Sequence, residues 1–270
     1  MQTRRIIGMG KLMTHAVCCV LLMSLASVTT AAPRHAPRVS YAAIPGGSFR
    51  TALPIDGPTV SVAPFRLRSQ PVSNREFAAF INSHAEWQRG KVPSLFADER
   101  YLTGWSAGGE RAAPDPEAPV TSISWFAASA YCASEGARLP TWYEWEFVAA
   151  ADSTRRDARN DPVWREEIIS WYEKPANMSV PAMSWGKPNA YGVHNMHRLI
   201  WEWVEDFNGL FVTVDSRNQG EQKLLETCGA AALSLGDREN YAILMRVALL
   251  SALSARDNLE SVGFRCARDH

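Results

Sequence analysis

The chain has 270 residues, 28 Lys plus Arg balanced by 28 Asp plus Glu, 46% hydrophobic residues and 21% charged ones. No basic patch stands out along the sequence, so nucleic acid is not an expected partner. The length and the ten Trp residues fit one large domain with a substantial core.

Residues 1–32 read as a secretory signal peptide. Arg4, Arg5 and Lys11 form a basic start, an apolar run follows from Ala16 to Ala26, and small residues continue through Ala31 and Ala32. The apolar core is too short to span a bilayer as a helix, so no stable membrane span is expected after cleavage; a retained anchor is the alternative. The chain is thus expected in the periplasm or outside the cell. Losing those three basic residues leaves 25 basic against 28 acidic residues. Cys18 and Cys19 fall in the signal, and Cys132, Cys228 and Cys266 remain. An odd number in an oxidising compartment implies one bridge and one spare thiol.

Residues 33–43 are Pro/Arg-rich and read as a flexible leader, with a single domain over residues 44–270. Ile44-Pro45-Gly46-Gly47-Ser48-Phe49 reads as a strand entered through a turn. Val60–Leu67 alternates with period two, as a half-buried strand does. Ser73 caps a helix whose Glu76 completes a capping box. Glu86–Pro119 is polar and reads as surface loop. Val120–Trp125 predicts a short strand, Phe126–Glu135 a helix stopped by Gly136, and Thr141 with Glu144 starts another helix. Residues 152–175 look charged and irregular. Ile200–Val204 reads as a strand or tight turn, and Tyr241–Leu250 as a buried strand interrupted by Arg246.

Several of these segments, in this order, resemble the motifs of the formylglycine-generating-enzyme (sulfatase-modifying-factor) family. They are Ile44–Phe49, Pro71–Phe77, Ser124–Cys132 followed by Arg138-Leu139-Pro140-Thr141 and Glu144-Trp145-Glu146, then Trp201-Glu202-Trp203, and Gly263-Phe264-Arg265-Cys266. The resemblance implies an α+β fold with little regular secondary structure, related to C-type lectin topology. It also implies a disulfide between Cys132 and Cys266. Glu144, Glu146 and Glu202 look like an acidic catalytic set, but the resemblance implies that they are mostly structural. Arg138, Trp145, Trp201, Trp203 and Arg265 belong to the same motifs.

The family's oxidising members hold Cu(I) on two cysteines five residues apart. Asp237 and Ala242 align with those positions, and neither is a soft ligand, so formylglycine generation is not expected. Leu199 offers no oxygen where the family binds calcium, so calcium is not expected either. The chain adds His194-Asn195-Met196-His197 and the spare Cys228. Imidazole, thioether and thiolate suit copper, which makes Cys228, His194, His197 and Met196 a candidate metal set; a core role for Met196 and an inert Cys228 is the alternative. These features are similar to the exported NirV-like branch, encoded beside copper nitrite reductase. That likeness implies an accessory or maturation role, with a periplasmic copper enzyme or its maturation machinery as partner. The competing functions are an oxidoreductase acting on a peptidic substrate and a lectin-like binding module.

Overall fold

The chain divides into Met1–Arg38 and Val39–His270. The computed structural model describes residues 39–53, 59–105, 115–172, 183, 186–210 and 241–270. The expected signal peptide, Cys228 and Asp237 lie outside these residues.

Strand β1 (Tyr41–Ile44) begins inside the segment read as leader. It pairs antiparallel with β4 (Phe65–Arg68), and β4 pairs with β7 (Ala267–Asp269), giving a sheet of order β1-β4-β7. Between them, β2 (Gly47–Arg50) and β3 (Thr59–Val62) pair antiparallel. Gly46 turns the chain from β1 into β2 with φ +68°, and a Cβ there would lie 2.3 Å from the Val62 carbonyl oxygen. Only glycine fits both conditions. The single strand expected over Val60–Leu67 is therefore two, broken at Ala63-Pro64. Pro64 has no N–H to continue a ladder, and the chain changes sheets there.

Helices α1 (Asn74–Ser83) and α3 (Trp142–Ala149) start on capping boxes, Ser73 with Glu76 and Thr141 with Glu144. Between them lies α2 (Trp125–Ser134), capped by Ser124. The strand expected over Val120–Trp125 does not form. Ser122 sits at φ +55°, and its neighbourhood bonds to separate partners, Val120 N–H to Val72 and Ser122 N–H to Leu259. Glu86–Pro119 is more than surface loop, since Tyr101, Leu102 and Trp105 belong to the core.

Two further expectations are corrected by helices. Residues 152–175 contain α4 (Pro162–Tyr172), started by Asp161, whose carboxylate accepts from Val163 and Trp164 N–H. Asp-Pro at a helix entrance is a start signal that the charged surroundings obscured. Tyr241–Leu250 lies in α5 (Tyr241–Ser251) rather than a strand. Ile243, Arg246, Val247 and Leu250 are its buried positions, which is the helical spacing of three and four. Among the described residues no helix is long and apolar enough to cross a membrane.

The C-terminal motif ties these pieces together. β5 (Trp201–Glu202) pairs in parallel with β6 (Val262–Gly263), and a Cβ on Gly263 would lie 2.2 Å from the Val120 carbonyl oxygen. Cys132 on α2 is bonded to Cys266, 134 residues away in sequence.

Candidate functional site

The Glu-Trp-Glu and Trp-Glu-Trp motifs build the frame. Glu202 and Arg265 have fully buried side chains and form a two-pronged pair, Nε to Oε2 and Nη2 to Oε1, both 2.8 Å. Glu202 also accepts from Trp145 Nε1 at 2.9 Å, while Arg265 donates to the carbonyls of Arg68 and His194. Glu146 accepts from Thr51 Oγ1 and Ala52 N–H, both at 2.6 Å, and from Trp142 Nε1. Burial nonetheless raises its carboxyl above the usual range. Glu144 caps α3 and takes both prongs of Arg138 at 2.7 Å, and Arg138 also reaches Asp269. Trp203 is fully buried and donates to the Ile123 carbonyl. Each of these carboxylates is spent on holding loops and helix starts, in a fold with few ladders.

Beside this frame the chain turns sharply at Asn189. Its Oδ1 accepts from Tyr191 and Val193 N–H, and its Nδ2 donates to the Val148 carbonyl. The turn feeds His194–His197 across the end of α3 and under α4. The result is a cleft of about 310 Å³ between residues 151–153, α4 and residues 187–198. Its floor is apolar, from Ala151, Ile168, Val193 and Met196, all buried. Its rim is charged. Asp152 is tied to Arg155, Glu167 is paired with Arg198, and Lys187 stands at the edge.

His197 forms one wall. Its ring meets Trp145 and Trp164 edge to face, each with centroids 5.6 Å apart. Nε2 lies 2.8 Å from the Ala149 carbonyl, which can only accept, so Nε2 carries the proton and Nδ1 keeps its lone pair. Nδ1 is sealed from solvent and has no hydrogen-bond partner among the described residues. Burial, reinforced by the Arg246 cation, pushes the imidazole down to about 4, against the opposing effects of the Ala149 bond and Glu202. His197 is thus neutral at physiological pH. On the ring of Trp145 lies the Arg246 guanidinium, 3.9 Å from the centroid, and Trp201 is its second aromatic neighbour. His194 is pushed down by partial burial, and its Nδ1 is also without a hydrogen-bond partner among the described residues.

The candidate metal set is therefore only partly visible. Met196 is buried in the cleft floor, His197 offers Nδ1 and not Nε2, and Cys228 lies outside the described residues. Among the described residues no group of three or more His, Cys, Asp or Glu side chains could hold a metal ion. Sequence reasoning missed the other cleft residues, Asp152, Trp164, Glu167 and Lys187. Asp161-Pro162 is a signal that could have exposed Trp164 and Glu167, because it announces the helix that carries them.

Comparison with known proteins gives this architecture a family. The chain is similar to the formylglycine-generating enzyme of Thermomonospora curvata, 29% identical across 88% of this chain and 97% of that protein. It is also similar to the inactive Cα-formylglycine-generating enzyme 2 of Mus musculus, 26% identical across 92% of each. The structure of PvdO from Pseudomonas aeruginosa aligns over 84% of this chain and 93% of that one, at 18% identity and a TM-score of 0.46. The family model described as sulfatase-modifying factor enzyme 1-like domain matches residues 27–270, and the chain belongs to that family.

Proposed function

We propose that this protein is an exported family member that does not generate formylglycine and serves as an accessory or maturation factor for a periplasmic copper enzyme, with copper as its cargo. One observation carries the reading. Cys132 and Cys266 are bonded to each other, so Cys228 is the only cysteine after residue 32 outside that bridge. A pair of thiolates five residues apart, which the family's oxidative chemistry uses to hold Cu(I), cannot be assembled from one thiol. Asp237 and Ala242 supply a carboxylate and a methyl group at the aligned positions. Similarity along nearly the whole chain to a relative described as inactive supports a fold kept for binding.

The cargo reading draws support from donor chemistry. His197 keeps a neutral Nδ1 lone pair, Met196 lies beside it in sequence, and Cys228 is the remaining soft donor. Two measurements test the proposal. Incubation with a sulfatase-type cysteine peptide, Cu(I) and oxygen should leave the peptide mass unchanged; formation of the aldehyde refutes the first half. Competition against a Cu(I) chelator should show at least tenfold weaker binding for Cys228→Ser, a difference of about 1.4 kcal/mol. Equal binding by parent and variant refutes the second half.

A further inference from the structure

A second surface, away from the His197 cleft, has the chemistry of a docking site. Leu95 and Phe96 are 71% and 37% exposed, adjacent residues on the turn that begins at Pro93. The turn is held from several sides. Phe96 and Ala97 N–H donate to the Pro93 carbonyl, Asp98 N–H to Arg256, and Leu102 N–H to Ser122. Asn258 Nδ2 adds a bond to the Asp98 carboxylate at 2.8 Å. Two large apolar side chains are thus displayed on a braced backbone, so little ordering remains to be lost on binding.

Phe96 also belongs to an aromatic row that runs out of the core. Trp203 packs on Phe207, Phe207 on Trp125, Trp125 on Phe126, and Phe126 on Phe96 with centroids 5.2 Å apart. Beyond it lies Trp87, 6.4 Å from Phe96. The same turn lines a cleft of about 400 Å³ through Ser94 and Ala97, with Tyr101 as its aromatic wall. Arg89 and Arg256 also line it. Arg89 donates to the Trp105 carbonyl, and neither arginine has a carboxylate partner among the described residues. The acids of the cleft are Asp98, which is paired with Arg100, and Glu99, so Arg89 and Arg256 leave one positive charge in excess. Aromatic and arginine anchors around an apolar recess are the composition of binding hot spots.

From this juxtaposition we infer that the Leu95–Phe96 turn and its arginine-rimmed cleft dock a segment of a partner protein that carries an apolar side chain flanked by carboxylates. The apolar side chain enters beside Tyr101, and the carboxylates meet Arg89 and Arg256. This surface is independent of the cargo reading and of Cys228.

The probes are labelled nonapeptides with a Leu-Gly-Phe core flanked by Glu, Gln or Lys, titrated with the full chain by fluorescence anisotropy. The Glu-flanked peptide should bind at least tenfold more tightly than the Lys-flanked one, and the difference should shrink as salt rises. Arg256→Glu should abolish or reverse that preference, and Leu95→Ser should weaken all three peptides. Both positions are exposed, and circular dichroism will establish that the variants fold. Equal binding of the three peptides, or affinities indifferent to both substitutions, overturns the proposal. So does sedimentation showing self-association that Leu95→Ser dissolves, which would assign the turn to a second copy of this chain.

Discussion

Glu202→Gln is the sharpest probe of the frame beneath the cleft. The parent carboxylate accepts three charge-assisted or buried hydrogen bonds, two from Arg265 and one from Trp145 Nε1, in a site with no exposed side-chain surface. The amide keeps the shape but loses the charge and turns an acceptor atom into a donor facing a guanidinium. Arg265 then remains buried without a counter-charge, with neutral acceptors alone to compensate it, the remaining amide oxygen and the Arg68 and His194 carbonyls. Removing one partner of such a pair costs about 3–5 kcal/mol. For a domain of this size, 2–4 °C per kcal/mol converts that to a fall in Tm of roughly 6–20 °C. Urea unfolding followed by tryptophan fluorescence, with scanning calorimetry on the same samples, measures both quantities. The double variant Glu202→Leu with Arg265→Met should be more stable than either single variant, because no lone buried charge survives in it. A Glu202→Gln protein within about 1 kcal/mol of the parent would refute the account of Glu202 as the counter-charge of Arg265.

Replacing both Cys132 and Cys266 by Ala should cost about 5 kcal/mol on the chain-entropy estimate for a loop of 134 residues, read as a drop in the urea midpoint under identical non-reducing conditions. A midpoint equal to the parent's would show that the bridge constrains nothing in the unfolded chain. For His197, the folded-state value of about 4 lies below its ordinary value of 6.5, so the unfolded chain takes up a proton first as pH falls. Its contribution is fully present above 6.5 and is lost progressively down to about 4, by up to ~3 kcal/mol. The stability difference between parent and His197→Gln should follow that window, and a difference independent of pH between 7 and 4.5 would contradict the buried neutral imidazole.

Interactions local in sequence were legible without coordinates. A capping box spans three residues, so Ser73 with Glu76 and Thr141 with Glu144 announced two helix starts that the structure contains. The ordered motifs, with the disulfide that their resemblance implied, pointed to the family that the comparison establishes. Short apolar runs were less informative. Tyr241–Leu250 is apolar on nearly every residue, and only burial of Ile243, Arg246, Val247 and Leu250 shows a helix facing the core.

The chemistry of the site belongs to tertiary structure for the same reason of range. Glu144, Glu146 and Glu202 are similar carboxylates in sequence; Arg138, the Thr51–Ala52 loop and Arg265 decide what each one holds. His197 is neutral because the Ala149 carbonyl, two indole rings and a buried arginine close around it from three separate stretches of chain. Protonation and hydrogen-bonding capacity depend on what surrounds a side chain in space, and no spacing along the chain encodes that directly. Residue types and short-range spacing determined the local starts and the family resemblance by themselves, while desolvation and long-range partners, which exist only after folding, decided the cleft and the state of its groups.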